Sequence, residues 1–380
     1  MVKIVQIIGT RPQFIKYFPI YRAIGEFNHL SRSKIKSVLI HTGQHYDYAM
    51  SEVFFKEFKI HAPSYFLAVG SSNHGEQTGQ ILRRSEKALL KEKPDAVMVY
   101  GDTNSTLGAA LAAVKLHIPV IHIEAGLRSY NRYMPEEINR ILVDHCSTVL
   151  LCPSKTAVRN LRDKGFRNIV NNGKLISDKF DLSHLAINFN NPLVLNVGDA
   201  MYDVLLYALE IASKKSSILK DLNLNPREYI TLTIHRAENT DDHKKLKEII
   251  GFVNDISGNN TVIFPMHPRS KKIFKRLNKS LLRKLKVIEP LGYFDMAWLV
   301  KNSKLLLTDS GGLQKEAYWL GVPCVTLREQ TEWTETIQSG WNVLYRDYRG
   351  IHNSSKNAKY LYGDGKAAKR IVNILKLLNH

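Results

Sequence analysis

Cysteine is scarce in this sequence: only Cys146, Cys152 and Cys324 occur in 380 residues. They form no Cys-x-x-Cys pair and are too few for a disulfide framework. Long apolar runs are also missing, because none approaches the roughly 20 residues that a membrane span needs. The N-terminus lacks the basic start, the long apolar stretch and the cleavage site of a signal peptide. We therefore expect a cytoplasmic protein without membrane insertion.

Two nucleotide-binding fingerprints and a metal-ligand pattern are absent as well. Neither GxGxxG nor GxxxxGK[ST] occurs, which argues against tightly bound NAD and against a P-loop. His41 and His45 are separated by a predicted strand and turn, and not by the helical spacing that pairs of metal ligands use. We predict no metal ion and no cofactor.

Acidic residues are outnumbered: 35 Asp and Glu face 54 Lys and Arg, for a net charge of +19. Such a balance can indicate nucleic-acid binding. However, the basic residues are dispersed, and neither a zinc-finger spacing nor an aromatic-basic RNA signature is present. We predict no nucleic-acid partner. A small substrate that carries a polyphosphate accounts for part of the charge, and solvated surface accounts for the rest.

The sequence does contain a regular alternation of short, β-branched apolar runs with helix-like stretches. This alternation indicates parallel sheets covered by helices on both faces, and the length favours two domains. The predicted fold class is α/β, with two doubly wound, Rossmann-like domains. We place the first at residues 1–168, an asparagine-rich linker or insertion at 169–193, and the second at 194–365, opening with a strand at Val194–Gly198. The C-terminal helix, 366–380, is expected to pack back on the first domain.

Polar side chains recur where the predicted strands end. Ligands of open parallel sheets bind beyond the carboxyl ends of the strands. Six such segments, three in each half of the chain, therefore predict a site lined by both domains. The segments are Gly9–Pro12, Gly101–Thr103, Glu124–Arg128, His235–Asn239, His267–Pro268 and Asp309–Gly312.

The strongest single signal is TDSGGLQKE at 308–316, where a strand ends, two glycines turn the chain and a helix begins. Exposed amides and the helix dipole favour a diphosphate at Ser310, Gly311 and Gly312. Glu316 lies one turn further on, where it can accept hydrogen bonds from ribose hydroxyls. The alternative is an ordinary serine cap followed by flexible glycines.

The first helix also begins with charged residues. GTRPQFIK at 9–16 follows the first strand, and Pro12 stands where a helix start tolerates proline. Arg11 and Lys16 then lie near the end of the strand, where they can face a bound anion. The alternative for both is solvated surface charge.

Three acids are candidates for proton transfer. Asp102 and Glu124 end adjacent buried strands, a costly place for a charge that is neither used nor paired. Glu136 begins a helix, and an ordinary salt bridge to Arg140 is the alternative there. His235 ends a strand of the second domain, where it can contact phosphate; a purely structural histidine is the alternative.

Ten motifs resemble, in sequence and in order, those of the non-hydrolysing UDP-N-acetylglucosamine 2-epimerases. They are GTRPQFIK, TGQH, YGDTNSTL, HIEAGLRS, PEEINR, HRAEN, MHPR, TDSGGLQKEA, GVPCVTLREQTEWTE and GWNV, and they run from residue 9 to residue 343. The resemblance implies a GT-B architecture with the active site in the cleft between two Rossmann-like domains. It also implies a UDP-sugar substrate and a homodimer.

Carried over motif by motif, the resemblance implies roles for single residues. The catalytic candidates are Asp102, Glu124, Glu136, His235 and Lys16. The candidates for binding the substrate and its UDP are Arg11, Arg140, Arg236, His267, Tyr293, Ser310, Gly311, Gly312, Glu316 and Arg328. In this assignment Arg11 and Lys16 line the diphosphate site, and His235 assists the departure of UDP.

The implied reaction inverts C2 of a UDP-linked 2-acetamido sugar, for surface polysaccharide synthesis. UDP leaves by anti elimination, a 2-acetamidoglycal forms, and UDP adds back after protonation on the other face. This route needs acids on both faces of the sugar and donors for the diphosphate. A GT-B glycosyltransferase, a hydrolysing relative and a non-enzymatic basic binding protein are the alternatives.

Two departures from the family pattern bear on the sugar. Gln13-Phe14 and Trp333-Thr334 stand where many members that use UDP-N-acetylglucosamine have Glu-Ala and Arg-Pro. Both resemble the branch that acts on UDP-2,3-diacetamido-2,3-dideoxyglucuronate. If Gln13 faces the sugar, the absent negative charge favours a C6 carboxylate; the alternative is that Gln13 only caps the helix. We predict this sugar, converted to its manno epimer. Plain UDP-N-acetylglucosamine, giving UDP-N-acetylmannosamine, is the alternative.

Overall fold

Buried apolar strands alternate with helices in both halves of the structure. It is a computed structural model, and it describes residues 1–44, 57–266, 274, 282–350 and 361–379. The chain divides into two units: Met1–Val204 with Tyr360–His380, and Leu205–Lys359. Each unit has one parallel sheet, which confirms the prediction of two doubly wound α/β domains. Among the described residues, no helix is long and apolar enough to cross a membrane.

The first unit is built on a seven-stranded parallel sheet. Its strands are β1 (Val2–Ile8), β2 (Ile35–His41), β3 (Tyr65–Phe66), β4 (Ala96–Tyr100), β5 (Val120–Ile123), β6 (Val149–Cys152) and β7 (Leu193–Asn196). Their order in the sheet is β3-β2-β1-β4-β5-β6-β7. The helices that follow are α1 (Arg11–Leu30), α2 (His74–Glu92), α3 (Asn104–Lys115), α4 (Pro135–Cys146), α5 (Lys155–Asp163) and α6 (Ala200–Lys215). Every residue of β4 to β7 is buried, as near-continuous apolar strands of a parallel sheet require.

The second unit is built on a six-stranded parallel sheet. Its strands are β8 (Tyr229–Thr233), β9 (Thr261–Pro265), β10 (Leu285–Ile288), β11 (Leu305–Thr308), β12 (Cys324–Thr326) and β13 (Asn342–Leu344). Their order is β10-β9-β8-β11-β12-β13. The helices are α7 (Ile218–Asp221), α8 (Ala237–Thr240), α9 (His243–Ser257), α10 (Tyr293–Lys301), α11 (Gly311–Leu320) and α12 (Thr334–Gln338). β8 and β11 are adjacent, so the polar segments that follow them lie side by side.

The structure places the domain boundary elsewhere than predicted. The strand expected to open the second domain is β7, and it pairs in parallel with β6, with Leu195 opposite Leu151. The first unit therefore continues to Val204, and the division falls within α6. A buried apolar strand has the same sequence pattern in either sheet, so the pattern alone could not assign β7 to its sheet.

The segments on either side of the second unit complete the first one. The predicted linker at 169–193 belongs to the first unit, where Ile169 pairs with Val194. The last helix, α13 (Ala367–Leu375), belongs to the first unit as well. Gly363, just before it, approaches Gly198 so closely that a Cβ on Gly363 would lie 2.9 Å from the Gly198 Cα.

Candidate active site

Lys16 and Glu124 form a buried ion pair at the carboxyl end of the first sheet. The Lys16 Nζ lies 2.5 Å from the Glu124 Oε1, and both side chains are less than one-tenth exposed. Glu124 directly follows β5 and has a φ of 70°, in the left-handed region that side-chain-bearing residues rarely adopt. Gly101 lies against the pair, since a Cβ there would be 3.4 Å from the Lys16 Nζ.

Asp102 lies in the turn after the neighbouring strand, β4, and forms an ion pair with Arg140. Arg140 also pairs with Glu137 at 2.5 Å. Asn139 donates to the Asp102 carbonyl at 2.9 Å, so helix α4 holds both the backbone and the side chain of Asp102. The Asp102 side chain is 27% exposed, which leaves it accessible to a ligand.

Two adjacent acids of helix α4 differ in their surroundings. Glu136, predicted as catalytic, is exposed at the first turn of the helix. Glu137 is buried and accepts from the Ser129 N–H at 2.8 Å. Burial alone would raise the pKa of Glu137, but this hydrogen bond and the charge of Arg140 outweigh burial and lower it. Glu137 was not among the predicted site residues, although its place three residues before Arg140 was a signal.

In the second unit, His235 is oriented by Asp309. The His235 Nδ1 lies 3.0 Å from the Asp309 Oδ1, and the His235 side chain is 43% exposed. Asp309 is fully buried and also accepts from the backbone N–H groups of His235 and Arg236, both at 3.0 Å. Burial would raise the pKa of Asp309, but the hydrogen bond and charge of His235 and these N–H groups lower it. Asp309 therefore presents His235 to the solvent with its ring fixed.

The start of α11 has the features expected of an anion site. Ser310 is the N-cap residue but makes no capping side-chain hydrogen bond, so the alternative of an ordinary serine cap is not what the structure shows. A Cβ on Gly311 would lie 2.6 Å from the Glu332 Oε1 and 3.8 Å from the Arg236 Nη2, so a side chain there would displace the Glu332 carboxylate. Arg328, which is buried, pairs with Glu332 at 3.1 Å. Two predicted arginines and a helix start thus lie together.

Two other predicted residues of the second unit are in direct contact. The Tyr293 hydroxyl donates to the Glu316 Oε1 at 2.9 Å, and both side chains are buried. Next to Glu316, the Lys315 Nζ lies 3.8 Å from the centre of the Trp333 ring, a cation–π contact. Trp333, one of the departures from the family pattern, therefore packs beside helix α11.

Gln13 caps the start of helix α1. It is 1% exposed, and its Oε1 accepts from the Gly9 N–H at 2.7 Å and the Thr10 N–H at 3.1 Å. Its Nε2 donates to the Tyr100 carbonyl at 2.7 Å. The hypothesis that Gln13 reads the charge of the sugar is wrong, because a side chain fully engaged in capping α1 cannot also reach a substrate.

The remaining predictions concern histidines and metals. His267 and His45 lie outside the described residues. The His41 ring packs between two aromatic rings. Its centre lies 5.1 Å from the centre of the Phe14 ring and 5.2 Å from the centre of the Phe66 ring. The part of the chain that the structure describes contains no group of three or more His, Cys, Asp or Glu that could hold a metal ion.

Comparison with known proteins gives consistent matches over nearly the whole length. The family model described as UDP-N-acetylglucosamine 2-epimerase matches residues 28–376. A UDP-N-acetylglucosamine 2-epimerase homolog of Methanococcus maripaludis is 45% identical, over 99% of this chain and 100% of the relative. The UDP-2,3-diacetamido-2,3-dideoxy-D-glucuronate 2-epimerase of Pseudomonas aeruginosa is 43% identical, over 98% and 99%. The crystal structure of the Methanocaldococcus jannaschii UDP-GlcNAc 2-epimerase, in complex with UDP-GlcNAc and UDP, is similar with a TM-score of 0.83 at 42% identity, over 99% of both chains.

Proposed function

Since the chain belongs to the UDP-N-acetylglucosamine 2-epimerase family, a family of isomerases with a GT-B-like two-domain fold, we propose that it inverts C2 of a UDP-linked 2-acetamido sugar. We propose further that UDP is eliminated and added back during each turnover. The observation that carries this mechanism is the pair of carboxylates at the ends of β4 and β5, Asp102 and Glu124, each held by a cation.

The chemistry explains why such carboxylates are needed. The C2 hydrogen of the sugar is not next to a carbonyl group, so a base alone removes it slowly. When the C1–O bond to UDP breaks, C1 becomes cationic and C2–H becomes acidic. A carboxylate takes the C2 proton, and UDP and a 2-acetamidoglycal result. Protonation of C2 on the opposite face and return of UDP to C1 complete the inversion.

Arg140 and Lys16 support the proposed roles of the two carboxylates. Each cation lies against its carboxylate and holds it at the end of its strand, where it can act on the sugar. Lys16 and Glu124 also line a small cavity together with residues of β5, β6 and the segment after β7, including Asp199. Glu136, exposed at the start of α4, is the candidate for donating a proton to the opposite face of the sugar.

The second unit supports the departure of UDP. This unit contains preorganised donors for a diphosphate: the backbone N–H groups at the start of α11 and the side chains of His235, Arg236 and Arg328. Such donors lower a reaction barrier by several kcal/mol where charge develops. Tyr293 and Glu316 offer a buried hydroxyl and carboxylate for the nucleoside. These groups would stabilise the negative charge of the departing UDP.

Incubation with the UDP-sugar in heavy water tests the reaction. We expect deuterium at C2 of a UDP-linked product, because the removed proton exchanges with solvent before C2 is protonated again. Product without deuterium would contradict elimination. Free sugar would indicate the hydrolysing alternative, and sugar transferred to an added acceptor would indicate a GT-B glycosyltransferase.

For the sugar itself, we propose UDP-2,3-diacetamido-2,3-dideoxyglucuronate, converted to the manno epimer for surface polysaccharide synthesis. The Pseudomonas aeruginosa relative named for this sugar supports the proposal, as does Trp333 in place of the arginine of other members. Gln13 no longer does, since it is buried. Competition with UDP-N-acetylglucosamine in one tube, measured as relative kcat/KM, decides the question. Equal or better use of UDP-N-acetylglucosamine would refute this specificity and leave the epimerase reaction standing.

We also propose that the protein acts as a cytoplasmic homodimer, as the resemblance implies. Light scattering of the purified chain measures its mass directly. A mass near the 43.4 kDa of one chain would contradict the dimer.

A further inference from the structure

A buried polar cluster lies behind Asp102 and Glu124. At its centre is Asp144 of α4, which is fully buried. Its Oδ1 lies 2.8 Å from the His122 Nδ1, and its Oδ2 accepts from the Arg128 guanidinium at 2.6 Å. Burial by itself would raise the pKa of Asp144, but the hydrogen bond and charge of His122, together with Arg128, lower it. Asp144 is therefore a carboxylate, and it can only accept hydrogen bonds.

His122, in β5, lies between two acceptors. Its Nδ1 faces Asp144, and its Nε2 lies 2.8 Å from the carbonyl oxygen of Gly101. A neutral imidazole has one donor nitrogen and one acceptor nitrogen, so it would direct a lone pair at one of these oxygens. Only the imidazolium form donates to both. A buried charge of this kind persists when an opposite charge lies beside it, and the Asp144 carboxylate, which His122 shares with Arg128, is that charge.

The partners of this cluster belong to the segments that carry the proposed acids. Gly101 has a φ of 64° and directly precedes Asp102. The Gly126 N–H donates to Asp144 at 3.3 Å, two residues after Glu124. Glu124 holds a left-handed backbone angle, which persists only where the surroundings enforce it. The cluster thus joins the turn after β4, the loop after β5 and helix α4.

We propose that His122 is a positioning residue: held as an imidazolium by Asp144, it fixes the turn of Asp102 and the loop of Glu124 relative to each other. His122 itself is fully buried and contacts no substrate. The expected effect of His122 on the kinetics rests on the proposed epimerase function, whereas the expected charge of the His122 ring does not.

The charge is tested on the wild-type protein by NMR with ¹⁵N-labelled histidine at neutral pH. We expect one histidine with both ring nitrogens protonated, identified by its loss in His122→Asn or in His122→Gln. A neutral His122 tautomer would overturn the proposal. This readout needs no activity. Absence of epimerisation by the wild type would instead overturn the proposed function.

The positioning role is tested with two replacements that each keep one bond. The amide of His122→Asn lies where Nδ1 was and can still donate to Asp144, but the bond to Gly101 is lost. The longer His122→Gln can reach Gly101 with its amide. We expect His122→Asn to lower kcat on the order of 10²-fold, the size of a small misplacement of reacting groups, with KM little changed. His122→Gln should recover part of this loss.

The control is His117→Asn, which replaces an exposed histidine three residues before β5. It should behave like the wild type. UDP affinity, measured by calorimetry, should be unchanged in all three variants, since the groups proposed to bind UDP lie mainly in the second unit. Near-wild-type kcat in His122→Asn would overturn the positioning role. Equal losses of kcat in the Asn and Gln variants, together with weakened UDP binding, would show a merely structural role.

Discussion

Glu124 combines a strained backbone with a buried ion pair. A left-handed φ on a residue with a side chain costs of order 1–3 kcal/mol, and such strain is found where function requires a particular side-chain direction. Here it turns the carboxylate out of the strand and against the Lys16 Nζ, 2.5 Å away. Asp102 lies in the turn after the neighbouring strand, β4, and is held from a different element, by Arg140 of α4.

At these two carboxylates, Glu124→Gln and Asp102→Asn should each lower turnover on the order of 10²-fold or more, as loss of an acid–base group does. Folding should survive, because the replacements are close to isosteric. Steady-state kinetics with the UDP-sugar measure the effect. Glu26→Gln is the control, because Glu26 pairs with Arg22 on the exposed face of α1. Wild-type turnover in either active-site variant would remove that residue from the mechanism.

At the scale of elements, the start of α11 brings backbone N–H groups next to Arg236, Arg328 and Glu332. The glycine at the first position of this helix leaves room for the Glu332 carboxylate, which a Cβ would displace. Glycine at a helix start with helical backbone otherwise has no advantage over alanine. The close approach therefore explains the residue better than chain flexibility does.

Gly311→Ala should weaken UDP binding, because the methyl group displaces Glu332 and with it Arg328. Gly251→Ala is a matched control in helix α9 of the same unit, where a Cβ meets nothing within 4 Å; it should stabilise the fold by about 0.5–1 kcal/mol and leave UDP binding unchanged. Calorimetry with UDP and thermal unfolding measure both variants. Equal UDP affinities for the two variants would contradict the assignment of the anion site.

The start of α13 gives a prediction about pH. The Asp203 carboxylate accepts from the Ala367 N–H at 3.1 Å and the Ala368 N–H at 2.9 Å. Burial, with the charge of Asp199, nevertheless raises the pKa of Asp203 from 3.8 to about 7. The folded state thus favours the neutral acid, so the contribution to stability is complete below the unfolded pKa and is lost as the pH rises to about 7.

Asp203→Asn carries no charge and keeps one of the two oxygens that accept from these N–H groups. The variant should therefore gain stability relative to the wild type between about pH 4 and pH 7, by on the order of 2–4 kcal/mol. Urea unfolding at several pH values measures this difference. The control is Asp178→Asn. The Asp178 carboxylate pairs with Lys369 of α13 and has a lowered pKa, so this variant should show no such gain. A difference between Asp203→Asn and the wild type that does not change with pH would contradict the raised pKa.

At the scale of the whole molecule, the two units carry different chemical groups. The first unit holds the carboxylates proposed for proton transfer, and the second holds the helix start and arginines proposed for the diphosphate. Elimination and re-addition of UDP need acids and anion donors, and they transfer no electrons to a cofactor. In the proposed mechanism, the arginines and the helix start take the place of the divalent ion that other diphosphate sites use.

Turnover should therefore persist after exhaustive dialysis against EDTA and without added nicotinamide cofactor. The measurement is the rate of epimerisation before and after dialysis, with MgCl₂ added back to one sample. Loss of activity that returns only with the divalent ion, or only with NAD, would contradict the elimination mechanism as proposed.

Local sequence patterns were enough to predict the elements and most of the proposed site. Apolar runs of strand length and the polar residues that follow them are local, and a parallel sheet necessarily gathers the carboxyl ends of its strands at one edge. Asp102 and Glu124 were predicted on that ground, and the glycines of α11 by their place at a helix start. The same patterns could not assign β7 to its sheet, since edge strands of either sheet look alike.

Tertiary structure alone decided which polar side chains meet. Gln13 caps α1 and bonds to Tyr100, 87 residues away, so its local position beside Arg11 was misleading. Of the two neighbouring glutamates at the start of α4, Glu137 and not Glu136 is buried, because the helix rotation points only one of them inward. His122 and Asp144 are 22 residues apart and become partners only when β5 and α4 pack. Each of these contacts joins separate elements, and nothing in the local sequence encodes such a distance.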